Sequence, residues 1–281
     1  MARSDTDAVL KFYQTHPISE KQILDKLTAE GVDLSVLTEE ELRFHDQDHF
    51  GGIEANDALA ALARVTSSDQ VLDVCCGLGG PSRYLANKVG CRIVGVDLTE
   101  SRIAGAIRLT DMTGLGSLAS FMTGNALDLP FDDATFDVAI SQEAFCHIPD
   151  KHRLISECVR VLKPGGRIAF TDILATEATA AQTLARLERG LEFRELASRA
   201  SYVRMLEDQD CRVEATEDLG DHWRIILVDR LAMYRSLADQ TIARFGRAHF
   251  ERWDEAYGFF VGCFGTGELS GGRFLAHREG D

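Results

Sequence analysis

A doubly wound α/β sheet is the fold class this sequence predicts, and three observations carry it. Val71-Leu72-Asp73-Val74 suits a buried strand and runs into the glycine-rich turn Cys75-Cys76-Gly77-Leu78-Gly79-Gly80. Pro81-Ser82-Arg83-Tyr84-Leu85-Ala86 then reads as the first turns of a helix, followed by a second strand at 91–96 that ends in Asp97. Residues 66–172 go on alternating strand and helix, which predicts a parallel sheet with helices on both faces. A strand, a glycine turn, a helix and a strand with a terminal carboxylate form the nucleotide-binding half of such a sheet. Glycines let the backbone approach a ligand, and Asp97 is placed to accept hydrogen bonds from ribose hydroxyls.

In chain order, helices are expected at 7–13, 20–29 and 55–65, with a polar, aromatic lining loop over 44–52. Strands come next near 70–74, 92–96, 118–122, 136–141 and 166–171, with Lys163-Pro164-Gly165-Gly166 as the turn that delivers the fifth. After Asp172 the pattern changes to an inserted helix over 175–192, a sheet-covering helix at 201–209 and a strand at 211–218. Two long helical stretches, 222–244 and 248–260, precede a last strand at 270–277. Residues 1–65 thus read as an N-terminal helical cap and pocket loop. Residues 66–281 read as the sheet domain, with cap insertions near 175–200 and 220–264.

At 281 residues the chain can bury one full core and still carry extra helices. A hydrophobic content of 45% with scattered charge predicts a folded globular protein. No apolar run approaches the length of a membrane span, and Met1-Ala2-Arg3-Ser4-Asp5 is no signal peptide, so the expected location is the cytoplasm. A net charge of −15 opposes tight nucleic-acid binding, whose phosphates need a basic patch. A base-modifying enzyme of duplex nucleic acid would also need an Asn/Asp-Pro-Pro-aromatic motif after the fourth strand, where Ser141-Gln142-Glu143-Ala144 stands instead. The seven cysteines show no metal-ligand spacing and read as reduced thiols. His45 and His49, beside Asp46 and Asp48, lack a completing ligand pair, so no metal is expected.

The glycine turn alone leaves a dinucleotide site and an S-adenosylmethionine site open, because Ser82 stands where the third glycine of G-x-G-x-x-G belongs. Three segments further along the chain decide between them. Gly124-Asn125-Ala126-Leu127-Asp128-Leu129-Pro130-Phe131 precedes Phe136-Asp137-Val138-Ala139-Ile140-Ser141, and Leu162-Lys163-Pro164-Gly165-Gly166 comes before Arg167-Ile168-Ala169-Phe170. This ordered set resembles the class I S-adenosylmethionine-dependent methyltransferases. The resemblance implies a Rossmann-like, seven-stranded, mostly parallel sheet whose last strand is antiparallel and lies between the fifth and sixth, under a helical cap.

For the cofactor, the resemblance implies that Asp73 holds the methionine end while Gly77, Gly79 and Gly80 give it room. Asp97 takes the ribose, or alternatively caps the helix that starts at Thr99. Leu98, Ala126 and Leu127 contact the adenine, and Asn125, where the family has aspartate, accepts from its amino group. Cys75 replaces a common family glycine. Ser141 and Gln142 are candidates for the methionine amino or carboxylate group. His147 is a cofactor contact or a general base, and His49 is a second catalytic candidate.

Asp46-Gln47-Asp48-His49-Phe50-Gly51-Gly52 with Glu54-Ala55 resembles the sarcosine/dimethylglycine N-methyltransferases, which implies a glycine-type amine as acceptor. Gln47, His49, Phe50, Tyr202 and Trp223 are the candidate acceptor contacts, and Arg167 and Arg273 the candidate carboxylate holders. The partner expected is this small molecule, S-adenosylhomocysteine is the co-product, and a homodimer is the candidate assembly. An O- or C-methyltransferase of a phenolic or isoprenoid-like metabolite is the alternative, and a non-catalytic S-adenosylmethionine-binding module is a third reading.

Overall fold

A computed structural model describes residues 10, 11, 13 and 18–280; the helix expected at 7–13 therefore lies largely outside the described residues. Seven strands form one sheet: β1 (Gln70–Val74), β2 (Arg92–Asp97), β3 (Ala119–Thr123), β4 (Phe136–Gln142), β5 (Leu162–Ala175), β6 (Cys211–Asp218) and β7 (Leu269–Arg278). Their order is β3-β2-β1-β4-β5-β7-β6, parallel except for β7, which runs antiparallel to both β5 and β6. This is the expected topology. The order reverses beside β1, where β1 pairs with β2 on one side and β4 on the other. Open sheets of this kind hold their ligands outside the strand ends at that switch point.

The apolar run of β1 is buried from Val71 to Val74, as befits a strand covered on both faces. Helices α4 (Gly80–Val89) and α5 (Glu100–Met112) connect β1 to β2 and β2 to β3, and α6 (Lys151–Arg160) connects β4 to β5. Lys163–Gly166 is not a separate turn but a bulged extension of β5. The pairing steps from Phe136↔Leu162 to Val138↔Arg167, and Gly165 (φ 76°) absorbs the extra residues.

Helices α1 (Glu20–Ala29), α2 (Glu39–Leu42) and α3 (Gly52–Leu62) lie N-terminal to the sheet. The third begins three residues earlier than expected. Gly51 sits at φ 93° and serves as its N-cap, so the glycine pair starts the helix instead of barring it. On the other side, α7 (Ala181–Leu191) is followed by α8 (Arg199–Glu207), which covers the sheet. The long helical stretch resolves into α9 (Gly220–Ser236), α10 (Ala238–Phe245) and α11 (Arg247–Thr266).

Helices α7 and α9 pack against α11, and α9 also meets β7. Ile173 at the end of β5, Leu187, Trp223, Leu227, Phe260 and Phe264 form one buried cluster that ties this group to the sheet. The fit is close: a Cβ on Gly271 would lie 2.2 Å from the Trp223 ring.

Candidate active site

A cavity of about 910 Å³ opens over the carboxyl ends of β1, β2 and β4, between the glycine turn and the helices α9–α11. The strands deliver their terminal groups to it: Asp73 from β1, Asp97 from β2, Gln142 from β4 and Glu143 just beyond. Gly77, Gly80, Leu98, Asn125, Ala126 and His147 share its wall.

The turn itself is built on positive φ angles at Cys75 (63°), Gly77 (55°) and Gly79 (74°). Cys75 is thus a side chain in backbone space that favours glycine, at the very position where it replaces a family glycine. Gly79 and Gly80 have no room for a side chain. A Cβ would come within 2.5 Å of Phe121 at the first and 2.3 Å of the Asp46 carbonyl oxygen at the second. Gly79 supports the turn from behind and does not line the cavity.

Asp97 is half-buried and already at work. One oxygen accepts from the Gly77 N–H at 3.0 Å, the other from the Thr99 N–H at 2.8 Å. The carboxylate thus holds the N-cap residue Thr99 and braces the glycine turn while lining the cavity. Asn125 also lines the cavity, and its side-chain oxygen accepts from the Leu127 N–H at 3.0 Å. Leu127 is buried and off the cavity wall, as is Ser141, whose hydroxyl donates to the Val74 carbonyl at 2.8 Å.

Asp73 is buried and accepts from the Ser82 hydroxyl at 2.5 Å; burial pushes its carboxyl up to about 7. Raised in the folded state above its usual value near 3.9, the group lets only the unfolded chain ionise between about pH 4 and 7. Stability is therefore lost as pH rises through that window. Asp73→Asn removes the effect. Relative to wild type, the variant gains in urea unfolding from about pH 4 to 7 by up to a few kcal/mol, and the gap levels above that. A pH-independent gap would show that Asp73 ionises normally.

The loop after α2 closes over the glycine turn through a chain of fixed polar contacts. Arg83 and Asp46, both buried, pair at 2.8 Å, and the Asp46 carboxylate accepts from Gln47 Nε2 at 2.6 Å. Gln47 therefore turns its oxygen outward, to the Asn56 amide at 2.8 Å and to His49 Nε2 at 3.0 Å. An oxygen with no hydrogen requires His49 Nε2 to carry the proton. Burial holds the His49 imidazole down to about 4, so it is neutral near pH 7. Asn56 in turn accepts from Gln142 Nε2 at 2.7 Å, which leaves Gln142 Oε1 buried without a partner among the described residues. His49 and Phe50 line the cavity, whereas Gln47 stands behind them.

His147 is held at Nδ1 by the Glu192 carbonyl at 3.1 Å, which can only accept, so Nδ1 bears the proton. Its ring meets Phe193 and Tyr13.

Glu143 went unremarked as a candidate in the sequence. It lines the cavity, accepts from the Phe50 N–H at 2.5 Å and the Thr171 hydroxyl at 2.6 Å, and burial pushes its carboxyl up to about 7.

Four expected acceptor contacts stand elsewhere. Tyr202 is buried in the core, its hydroxyl donating to Asp172 at 2.6 Å, and Trp223 lies in the cluster under α9. Arg273 pairs with Glu217 and Arg167 with Asp69, both away from the cavity. The cavity instead takes Arg230, Tyr234, Trp253, Tyr257 and Phe260 from the cap. Among the described residues no group of three or more His, Cys, Asp or Glu is arranged to hold a metal, and all seven cysteines are free.

Sheet order, glycine turn and strand-end carboxylate define a Rossmann-like methyltransferase fold. Residues 72–170 match the family described as methyltransferase domain. It is 42% identical over 119 residues to sterol 24-C-methyltransferase of Eremothecium gossypii, covering 42% of this chain and 32% of that protein. It is 32% identical over 164 residues to glycine/sarcosine/dimethylglycine N-methyltransferase of Actinopolyspora halophila, covering 58% and 29%. The chain thus spans about a third of the length of these relatives. A crystal structure from Galdieria sulphuraria, provisionally assigned as a sarcosine dimethylglycine methyltransferase, superposes with a TM-score of 0.77 at 20% identity, covering 92% of this chain and 98% of that one. The resemblance read from the sequence and the sheet it implied both hold.

Proposed function

We propose that this chain is an S-adenosylmethionine-dependent methyltransferase acting on a small-molecule acceptor in the cytoplasm, without nucleic acid. The observation that carries the reading is one continuous cavity joining the glycine turn and Asp97 to an aromatic chamber under the cap. The residues present fit the cofactor: a half-buried strand-end carboxylate suits a ribose diol, and the buried, unpartnered oxygen of Gln142 suits an ammonium donor. Asp97 would hold the ribose, Leu98, Asn125 and Ala126 the adenine, and Gln142, with Asp73 beneath it, the methionine end. When bound, the cofactor supplies an electrophilic methyl group on a sulfonium that departs as a neutral thioether.

The chain's own residues then have three tasks. Helix α1 and the loop over residues 44–50, together with α7 and α9–α11, cap the cavity and exclude water that would screen the shifting charge. The cavity walls align the acceptor's nucleophile with the methyl group, and alignment of this kind is worth about 7–11 kcal/mol of barrier. Glu143 takes the proton released when an O–H or N–H acceptor gains its methyl group. It suits that task better than His49, which is held weakly basic, and better than His147, which sits between aromatic rings. Glu143→Gln is expected to lower kcat by about 10²–10⁴-fold and to remove the limb near pH 7 from the pH–rate profile. An intact limb would move the base elsewhere.

Tyr234, Trp253, Tyr257 and Phe260 around the cavity support an acceptor with an apolar body, larger than a glycine derivative. The phenolic or isoprenoid-like reading is favoured on that ground. Calorimetric binding of S-adenosylhomocysteine, then labelled-methyl transfer to a panel of glycine derivatives, phenols and sterol-like lipids, tests both levels. Binding without any transfer would favour the non-catalytic reading, and sedimentation of the same sample tests the homodimer.

A further inference from the structure

In a protein of net charge −15, buried and half-buried arginines readily find carboxylates. Arg83 has Asp46, Arg102 has Asp48, Arg194 has Glu192, and Arg167 and Arg273 have theirs. Arg230 departs from this. It lies half-buried on α9 in the cavity wall, and among the described residues no carboxylate oxygen comes within 4.0 Å of its guanidinium. What it touches are the carbonyls of Asp48 and His49 at 3.3–3.4 Å, longer than normal hydrogen bonds, and the Phe50 ring at 5.3 Å. Glu143 feels its charge from a distance without pairing to it.

A second observation falls one helical turn away. Tyr234 comes four residues after Arg230, which places both on one face of α9. Its hydroxyl is buried with no hydrogen-bond partner among the described residues, although the residue lines the same cavity. A buried polar group left unpaired is costly, so such a group persists where a ligand completes it. Tyr257, across from α9 on α11, lines the cavity too and lies within reach of the Arg230 charge.

We infer that Arg230 and the Tyr234 hydroxyl hold a carboxylate on the methyl acceptor, making that acceptor an organic acid with an apolar body. The guanidinium supplies two parallel donors in the fork that a carboxylate fits, and the phenol adds a third. Neutral sterol-like acceptors leave the guanidinium without a carboxylate and the phenol without a partner. The inference rests on the methyltransferase reading and adds the acceptor's head group to it.

The test separates the two readings by starting with protein already loaded with S-adenosylhomocysteine; failure to load speaks against the methyltransferase reading itself. To loaded protein, 4-hydroxyphenylacetate, 3,4-dihydroxybenzoate and sarcosine are titrated by calorimetry, each beside its methyl ester, with phenyl phosphate as a further arm. The acids are expected to bind about tenfold or more tighter than their esters. Arg230→Met should erase that difference, and Tyr234→Phe should shrink it severalfold. General damage to the cavity weakens acid and ester alike, so the ratio within one variant reads the head-group contact alone. Equal binding of acids and esters to the wild type overturns the inference, as does binding of none of the acids. Preference for phenyl phosphate over every carboxylate overturns the carboxylate assignment.

Discussion

Asp97→Ala protein is expected to bind S-adenosylhomocysteine about 100-fold more weakly than the wild type. The carboxylate is the only acidic group that β2 brings to the cavity, and it stands half-buried with both oxygens turned toward the glycine turn and Thr99. On the proposed reading, two ribose hydroxyls would donate to it in charge-assisted bonds worth about 1.5 kcal/mol or more each. Their sum, about 3 kcal/mol, is a factor of about 100 in affinity. The same substitution frees the Gly77 N–H, so thermal melting of the unliganded variant must accompany the titration. A variant that melts like the wild type and still binds at full affinity would remove the ribose from this site.

Arg83→Met is the substitution expected to cost the most stability, about 3–5 kcal/mol in urea unfolding. Arg83 is fully buried, and besides Asp46 it donates to the Ala106 carbonyl and the Thr110 hydroxyl, both at 3.2 Å. Removing it strands the Asp46 carboxylate in a site that is itself 3% exposed. Breaking a buried pair from one side is costly because the remaining charge loses its counter-charge without gaining water, here keeping only the neutral Gln47 amide, whereas replacing both partners often costs little. The double variant Arg83→Met with Asp46→Leu should therefore recover much of the loss. A single variant within about 1 kcal/mol of the wild type would mean that water reaches Asp46.

The sheet was legible because its signals are local. A burst of apolar residues, a glycine turn and a strand-end aspartate each report a nearby backbone requirement, and helix α1 and strand β6 fall on their expected bounds. That Asp73, Gly77, Gly80 and Asp97 would share one cavity wall could be read for the same reason, since all lie within one strand–helix–strand unit.

The acceptor end could not be read this way. Whether an aromatic or an arginine on a long amphipathic helix faces a cavity depends on how three cap helices pack, and periodicity does not report that. Trp223 and Tyr202 looked like pocket residues by type and are core residues by position. Arg230 carried no local mark at all. Glu143 was hidden by its neighbours: only the fold brings it to Phe50, 93 residues away along the chain. Cys75 was visible as a departure from a family glycine, but its positive φ needed coordinates.

The antiparallel strand β7 also has a bearing on how the chain is made. Among the described residues β6 pairs with no strand except β7, and about fifty residues of cap helix separate them. At roughly 5–20 residues per second of synthesis, β6 waits several seconds as an unpartnered edge on the ribosome. Open edges of that kind invite pairing with other chains. The alternation along β6, with Arg212, Glu214 and other polar residues every second position, keeps that waiting edge charged until its partner arrives.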